Sequence, residues 1–206
     1  MNRFIVLEGL DGAGKSTQLK LLADYLREKG EDVYVDVEPT TKETGKLIRR
    51  VLSGELPSSP WATAALFLAD RVNQCAAPET GLRARLARGQ TVLLDRYYYS
   101  TFAYQGYETD LDWTVDIHYR CPELLRPDLV LFLTMPVKKC MERILEHRGT
   151  ATEIYETEER LQKVSDQFDE VFARLMDREN VVYIDADGTV DEVFARIAAA
   201  VEGDLR

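Results

Sequence analysis

The chain has few cysteines and histidines. Its three cysteines, Cys75, Cys121 and Cys140, are odd in number and lack the spacing of a Cys-x-x-Cys pair or a Cys/His zinc site, which argues against a disulfide framework or structural zinc. The two histidines, His118 and His147, have no partner spacing for a catalytic triad or a metal site. We therefore expect the cysteines to be buried or incidental and the histidines to be structural or exposed.

Long apolar runs and an excess of positive charge are also absent. No run is long enough to suggest a membrane span and no targeting peptide precedes the first predicted strand, so we expect a cytoplasmic protein. The formal net charge of −10 argues against a nucleic-acid surface, which needs clustered lysine and arginine. The 206 residues, 45% hydrophobic and 30% charged, are typical of a single globular domain over 1–206.

The most informative stretch begins at Gly9 and reads GLDGAGKST. It fits G-x-x-x-x-G-K-[ST], in which backbone amides surround a polyphosphate, the lysine reaches the outer phosphates and the hydroxyl takes a place on Mg²⁺. A buried strand is predicted before it over 4–7 and an amphipathic helix after it over 18–29, the order that the motif needs. The predicted phosphate loop consists of Gly9, Leu10, Asp11, Gly12, Ala13, Gly14, Lys15, Ser16 and Thr17.

Segments with strand character recur along the chain, most of them as apolar runs and the one at 32–37 as an alternation of apolar and polar residues. They lie at 4–7, 32–37, 91–95, 129–133 and 181–184. Helical patterns separate them, and strands that alternate with crossover helices form parallel sheets. The predicted fold is therefore α/β, a doubly wound five-stranded parallel sheet with helices on both faces, of the P-loop NTPase type.

The strand over 91–95 ends on a carboxylate that has a functional interpretation. In a P-loop protein, four apolar residues followed by Asp95 suggest the group that orients Mg²⁺, and Arg96 directly after it can reach phosphate. The run YYYSTFAYQG that follows, over 97–106, is unusually aromatic and polar together. A packed aromatic cluster is the plain interpretation, whereas a pocket wall facing a nucleoside explains the hydroxyls and the amide better.

Phe67 and Arg71 are four residues apart in a helix predicted over 61–77 and share one face of it. A ring beside a guanidinium suits a planar base. A core phenylalanine with a salt-bridged arginine is the commoner arrangement, and this stretch by itself favours it.

The motifs together resemble the thymidylate kinases, a family of nucleoside monophosphate kinases with a P-loop. The matching segments are GLDGAGKSTQ, EPT followed by GKLIR, LFLADR, LLDRYYYSTFAYQG and RPDLVLFL, and LLDRYYYSTFAYQG is the most diagnostic. They run in order from Met1 to about Arg148. The resemblance implies ATP-dependent phosphorylation of dTMP to dTDP with Mg²⁺, and a homodimer for which the helix at 61–67 is a reasonable contact surface.

The resemblance also implies roles for single residues. Phe67 would stack on thymine, Arg71 and Thr101 would address its polar edge, and Arg143 would contact ATP. The full dTMP set would be Asp11, Phe67, Arg71, Arg96, Ser100, Thr101, Tyr104 and Gln105. The catalytic set would be Lys15, Asp95, Arg96 and Arg148. Mg²⁺ would be held by Ser16 and supported from further away by Glu8 and Asp95.

The arginine that assists transfer is the least direct of these assignments. Some members of the family carry it in the phosphate loop, where this chain has Gly12, and those without it tend to carry it in a lid. We therefore expect a lid at about 148–156 with Arg148 in that role; a cation that favours the helix dipole is the plain alternative. The chain also departs from many relatives at Ile154, where they often have a basic residue, and at Val37 and Lys42, where they have arginines around the acceptor phosphate.

Two other functions stay open at this point. The protein could be another small-molecule kinase with a deoxynucleoside or nucleotide acceptor, although the DRYYYST…YQG wall argues against it. It could also be a homologue that binds nucleotide without transfer, which only the altered lid supports. A GTPase switch would need an NKxD motif, and the sequence has none.

Overall fold

Five parallel strands form the central sheet. They are β1 (Phe4–Gly9), β2 (Val33–Val37), β3 (Thr91–Asp95), β4 (Leu129–Thr134) and β5 (Val181–Asp185). Their spatial order is β2–β3–β1–β4–β5. The structure is a computed structural model that describes residues 3–148 and 157–203, and for residues 147 and 148 the backbone alone.

Nine helices are described in these ranges. They are α1 (Lys15–Glu28), α2 (Glu43–Leu52), α3 (Pro60–Ala76), α4 (Leu82–Ala87), α5 (Tyr98–Glu108), α6 (Leu111–Tyr119), α7 (Val137–Arg148), α8 (Glu158–Leu175) and α9 (Val190–Gly203). Helices α1 and α9 pack on each other, while α5 packs against α3, α6 and α8. The sheet with its flanking helices is the predicted α/β fold, which is thereby confirmed.

The central strands are buried along their length. Every residue of β1 and β3 is buried, which explains why both read as continuous apolar runs rather than as alternating patterns. On α1, the predicted apolar positions Leu19, Leu22, Ala23 and Leu26 all face this core.

The register of β1 and β3 brings the two predicted motifs to one edge of the sheet. Leu7 pairs with Asp95, so the phosphate loop starts beside the carboxylate that ends β3. On the other side of β1, Gly9 pairs with Leu133 of β4. Ligands of open α/β sheets bind at this carboxyl edge, where neighbouring strands deliver their loops to one place.

Two elements differ from the sequence interpretation. Helix α1 begins at Lys15 rather than near Gln18, because Gly14 takes a left-handed conformation (φ 92°) and ends the loop there. The short helix α6 was not predicted. Its signal is Asp110, whose side chain caps the helix by accepting from the backbone N–H of Trp113 at 2.8 Å.

Among the described helices, none is both long and apolar enough to cross a membrane. Cys75 and Cys140 are buried and Cys121 is half-buried, all as free thiols. Of the predicted lid at 148–156, all but the backbone of Arg148 lies outside the described residues.

Candidate active site

The phosphate loop turns tightly beneath the start of α7. Gly12 has a φ of 81°, and a Cβ atom at this position would lie 2.4 Å from the carbonyl oxygen of Cys140. A side chain here would need both an unfavourable backbone conformation and a displaced helix. The packing therefore excludes an arginine from this position of the loop.

Lys15 lies inside the loop and is bonded to it. Its Nζ donates to the carbonyl oxygens of Gly9 and Leu10, at 3.0 and 2.8 Å. Burial, reinforced by the positive charge of Arg96, lowers the pKa of Lys15. The ammonium is thus positioned by backbone oxygens and surrounded by little water.

Ser16 and Asp95 are in contact. The Ser16 hydroxyl donates to Oδ2 of Asp95 at 2.8 Å, across the gap between α1 and β3. Two oxygen ligands beside a phosphate loop are suited to Mg²⁺, which binds proteins through few carboxylate or hydroxyl groups and keeps other positions for phosphate and water. No group of three or more metal-binding side chains occurs in the described part of the chain.

Glu8 holds the start of α5 to the end of β1. It is fully buried, and its carboxylate accepts from the backbone N–H groups of Tyr97 and Ser100 and from the Ser100 hydroxyl, at 2.8, 3.2 and 2.7 Å. Burial raises its pKa. Glu8 lines neither cavity described below, and its hydrogen bonds anchor the start of α5; support of Mg²⁺ from further away, which the resemblance implied, stays a prediction.

Arg96 joins the phosphate loop to α5. Its Nη2 donates to Oδ1 of Asp11 at 2.6 Å and its Nη1 to the Ser100 hydroxyl at 2.7 Å. The Tyr104 hydroxyl donates to the other oxygen of Asp11 at 3.3 Å. Arg96 is also the one described non-glycine residue with a positive φ, 69°. Such a conformation is kept only when the surroundings impose it, and functional sites are where it concentrates.

A donor-side cavity of about 600 Å³ opens over the phosphate loop. Its lining residues are Asp11, Gly12, Ala13, Gly14, Lys15, Ser16, Thr17, Gln18, Val37, Glu38, Asp95, Arg96, Arg143, Ile144, Ala186, Gly188, Val190 and Val193. Arg143 approaches the loop, with Nη1 3.5 Å from the Gly12 carbonyl oxygen. Gly9 and Leu10 do not line this cavity and contribute only the carbonyls that hold Lys15.

A second, acceptor-side cavity of about 170 Å³ adjoins the first. Its lining residues are Asp11, Glu38, Pro39, Arg49, Leu52, Phe67, Arg71, Arg96, Tyr97, Ser100, Thr101, Tyr104 and Gln105. All eight residues of the predicted dTMP set are among them. Asp11, Glu38 and Arg96 line both cavities and so mark where the two meet.

Arg71 is held on several sides in this wall. It is 1% exposed, its Nε donates to both oxygens of Glu38 at 3.0 and 2.9 Å, and its Nη2 donates to Glu38 and, at 3.2 Å, to the Thr101 hydroxyl. Burial raises the pKa of Glu38 to about 7, against the effect of Arg71. Arg71 is therefore salt-bridged in the core and also lines the acceptor-side cavity.

The aromatic run over 97–106 divides between two environments. Tyr104 lines the acceptor-side cavity, but the hydroxyls of Tyr98 and Tyr99 each donate to Glu179 at 2.9 Å. Tyr119 and Arg126 bond to the same carboxylate. The interpretation of the whole run as a pocket wall is therefore wrong for Tyr98 and Tyr99, which pack away from the cavity around a carboxylate more than 70 residues further along the chain.

Five residues that line the acceptor-side cavity were not among the predicted site residues: Glu38, Pro39, Arg49, Leu52 and Tyr97. Arg49 lies on α2, where its guanidinium donates to the carbonyls of Pro39 and Thr40 and borders the cavity. The only signal in the sequence was the EPT segment that precedes α2. Asp70 holds this segment by accepting from the backbone N–H and the hydroxyl of Thr40, at 2.7 and 2.6 Å.

The predicted transfer residue is not placed by the structure. The side chain of Arg148, together with Ile154, lies outside the described residues. The role of Arg148 stays a prediction from the sequence.

Comparisons with known proteins agree with one another. The model of a family described as thymidylate kinase matches residues 7–197. A probable thymidylate kinase of Pyrococcus horikoshii is 38% identical, with 98% of this chain and 97% of the relative covered. One of Thermococcus onnurineus is 38% identical with 98% of both covered, and a thymidylate kinase of Desulfotalea psychrophila is 42% identical with 81% and 80% covered.

Proposed function

The chain belongs to the thymidylate kinase family and phosphorylates dTMP with ATP as donor, and we propose that its two adjoining cavities hold the two nucleotides. The observation that carries the assignment is the pair of cavities joined at Asp11, Glu38 and Arg96. A transfer reaction needs two sites that meet at the phosphate that moves. The ATP phosphates would lie over the phosphate loop, and dTMP between α3 and α5.

On the donor side, the proposed phosphate contacts are the loop amides, Lys15 and Arg143. Ser16 and Asp95 would hold Mg²⁺, and their oxygens lie close enough to bond to each other at 2.8 Å. Bound there, Mg²⁺ would neutralise charge on the donor phosphates. Ala186 and Gly188, in the turn after β5, line the same cavity and suit the adenine end.

On the acceptor side, Phe67 would stack on the base, with Arg71 and Thr101 at its polar edge. Asp11 and Tyr104 would meet the sugar, with Gln105 beside it. Arg96 and Arg49 supply cations at the phosphate end. Arg49 lines the acceptor-side cavity, whereas Lys42 does not line it and Val37 carries no charge, so Arg49 supports acceptor binding in spite of those two departures.

The chemistry needs no separate general base. The acceptor phosphate is ionised near neutral pH, so alignment and neutralisation of charge carry the reaction. Lys15 and Arg96 bring positive charge from opposite sides of the junction, in surroundings with little water, where such charges act strongly. Arg148 would add charge to the transferred group.

The test is an ADP-release assay with dTMP, dUMP, UMP, dCMP and thymidine offered separately. We expect dTMP to be used best and thymidine, which lacks the acceptor phosphate, not to be used. A preference for another acceptor would reassign the chain to a different small-molecule kinase. ADP release with none of them would identify a homologue that binds nucleotide without transfer.

We further propose a homodimer through the outer face of α3. Trp61 at the start of this helix is 48% exposed and packs edge to face against Trp113 of α6 at 4.9 Å between ring centroids. Large exposed apolar side chains in one place favour a protein contact. Sedimentation of wild type and Trp61→Glu would test it: a monomeric variant supports this face, and an unchanged mass excludes it.

A further inference from the structure

His118 does not line the acceptor-side cavity, yet it touches a residue that does. It lies on α6 and is 2% exposed. Its Nε2 is 2.7 Å from Nη1 of Arg71, and its Nδ1 is 2.7 Å from the carbonyl oxygen of Thr114. The contact with Arg71 spans 47 residues of sequence, so no local pattern reveals it.

The two contacts of His118 determine where its proton lies. A backbone carbonyl only accepts, so Nδ1 must carry the hydrogen that the Thr114 oxygen receives. A guanidinium only donates, so Nε2 must offer its lone pair to Arg71. Burial, assisted by the charge of Arg71, lowers the pKa of His118 to about 3, which keeps the ring neutral and Nε2 an acceptor.

The hydrogens of the Arg71 guanidinium can be accounted for one at a time. Of its five N–H groups, the one on Nε goes to Glu38 and the two on Nη2 go to Glu38 and Thr101. Nη1 has two hydrogens, and His118 accepts one. The other has no partner in the described part of the chain, and Arg71 lines the cavity.

We propose that His118 is a positioning residue for acceptor recognition. By accepting one hydrogen of Nη1 it fixes the guanidinium plane from the side opposite Glu38, so that the second hydrogen is presented to the cavity. An N–H group matches a ring carbonyl and opposes an exocyclic amine, which is itself a donor. His118 thus favours a pyrimidine with a 4-carbonyl over one with a 4-amino group. The inference rests on the proposed function, since it takes Arg71 to be the group at the edge of the base.

The test compares two amides at one buried position. His118→Gln places an acceptor where Nε2 lies, whereas His118→Asn reaches only as far as Nδ1 and leaves Arg71 without its partner. Both remove the ring, so they share the cost of that loss. His118→Phe keeps the ring and has no acceptor. Tyr119→Phe, on the same helix, loses a bond to Glu179 and serves as the control for disturbance of α6.

We expect His118→Asn and His118→Phe to raise KM for dTMP by about tenfold or more, because each removes a hydrogen bond to a charged group. Their kcat and KM for ATP should stay near those of wild type, and their preference for dUMP over dCMP should narrow. His118→Gln and Tyr119→Phe should resemble wild type. A histidine with a merely structural role would not change KM for dTMP while leaving KM for ATP unchanged.

Two results would overturn the proposal. In one, all three His118 variants keep the wild-type KM for dTMP and the same preference for dUMP. In the other, His118→Gln and His118→Asn raise KM by the same factor, and do so for ATP as well as for dTMP, as expected from disturbed packing. A wild type that used no dTMP would instead remove the proposed function and this inference with it, so the two failures are distinguishable.

Discussion

The wall of the acceptor-side cavity (the acceptor wall) and the phosphate loop are held in place by different kinds of contact. In the wall, Arg71 is bonded to the side chains of Glu38, Thr101 and His118, which are far apart in the chain, so its guanidinium is fixed by the tertiary structure. In the loop, Lys15 is held by two backbone carbonyls within a few residues of itself. A site built from backbone can be recognised in a short motif, whereas a site built from side chains depends on distant parts of the chain.

The largest expected effect falls on the wall. Arg71→Met leaves Glu38, whose side chain is 3% exposed, as a buried charge without its partner. We expect a loss of about 3–5 kcal/mol of unfolding free energy. It should be measured by urea unfolding near pH 8, above the pKa of about 7 that Glu38 has beside Arg71, so that the salt bridge of the wild type is fully ionised.

Two further variants serve as controls for that loss of stability. Adding Glu38→Gln to Arg71→Met should recover much of the stability, because the unpaired charge is then gone. Arg50→Met breaks an exposed pair with Glu55 and should cost at most about 0.5 kcal/mol. Equal losses for Arg71 and Arg50 would contradict the view that the wall is a buried network.

The corresponding substitution in the phosphate loop should slow the reaction without weakening the binding of dTMP. Lys15→Ala should lower kcat by about 10²–10³-fold, because it removes a buried cation from the phosphates. Affinity for dTMP, measured by calorimetry, should not change. Lys20→Ala, an exposed lysine on the same helix, is the matched control. A comparable loss of dTMP affinity would show that the two regions are not separate.

A smaller effect on the wall is expected from its aromatic face. Phe67 lines the acceptor-side cavity, and Phe67→Ala should weaken dTMP binding by about 1–3 kcal/mol if the ring stacks on the base. KM for ATP serves as the internal control, because Phe67 does not line the donor-side cavity. Unchanged dTMP affinity would mean that Phe67 is a core residue that does not stack on the base.

The wall should also respond to pH in a direction that the structure predicts. An unfolded His118 takes up a proton near pH 6.5, whereas the folded residue, with its pKa lowered to about 3, does not. Its contribution to stability is therefore complete above pH 6.5 and is lost as the pH falls towards 3. Relative to His118→Gln, wild type should lose about 2 kcal/mol of stability between pH 7.5 and 5.

The comparison with His118→Gln is needed because Glu38 acts in the opposite sense. Burial raises its pKa from 4.5 to about 7, so the folded chain holds this proton longer than the unfolded chain and loses stability as the pH rises over that window. Both proteins contain Glu38, and its contribution cancels in the difference. A difference that does not vary with pH would mean that His118 titrates normally in the fold.

The elements with strong local patterns were the predictable part of the fold. All five strands were expected, because β1, β3 and β4 are buried and read as apolar runs and β2 alternates apolar and polar residues, while β5 begins with a short apolar run. Helix α6 was missed although Asp110 caps it, since a single capping residue ahead of a mixed sequence is a weak signal. Tyr98 and Tyr99 were interpreted as pocket residues because their hydroxyls needed partners, and the partner, Glu179, is remote in sequence.

The sequence alone determined the phosphate loop, the carboxylate at the end of β3, the order of the elements and the family. These follow from local rules, since glycine spacing, hydrophobic period and short motifs act over a few residues. Only the tertiary structure decided that Glu8 anchors α5 and that Arg49 borders the acceptor-side cavity. It also decided that Glu38 and His118 hold Arg71 between them. Those are contacts between buried polar groups far apart in the chain, which must find partners wherever the packing of the helices on the sheet places them.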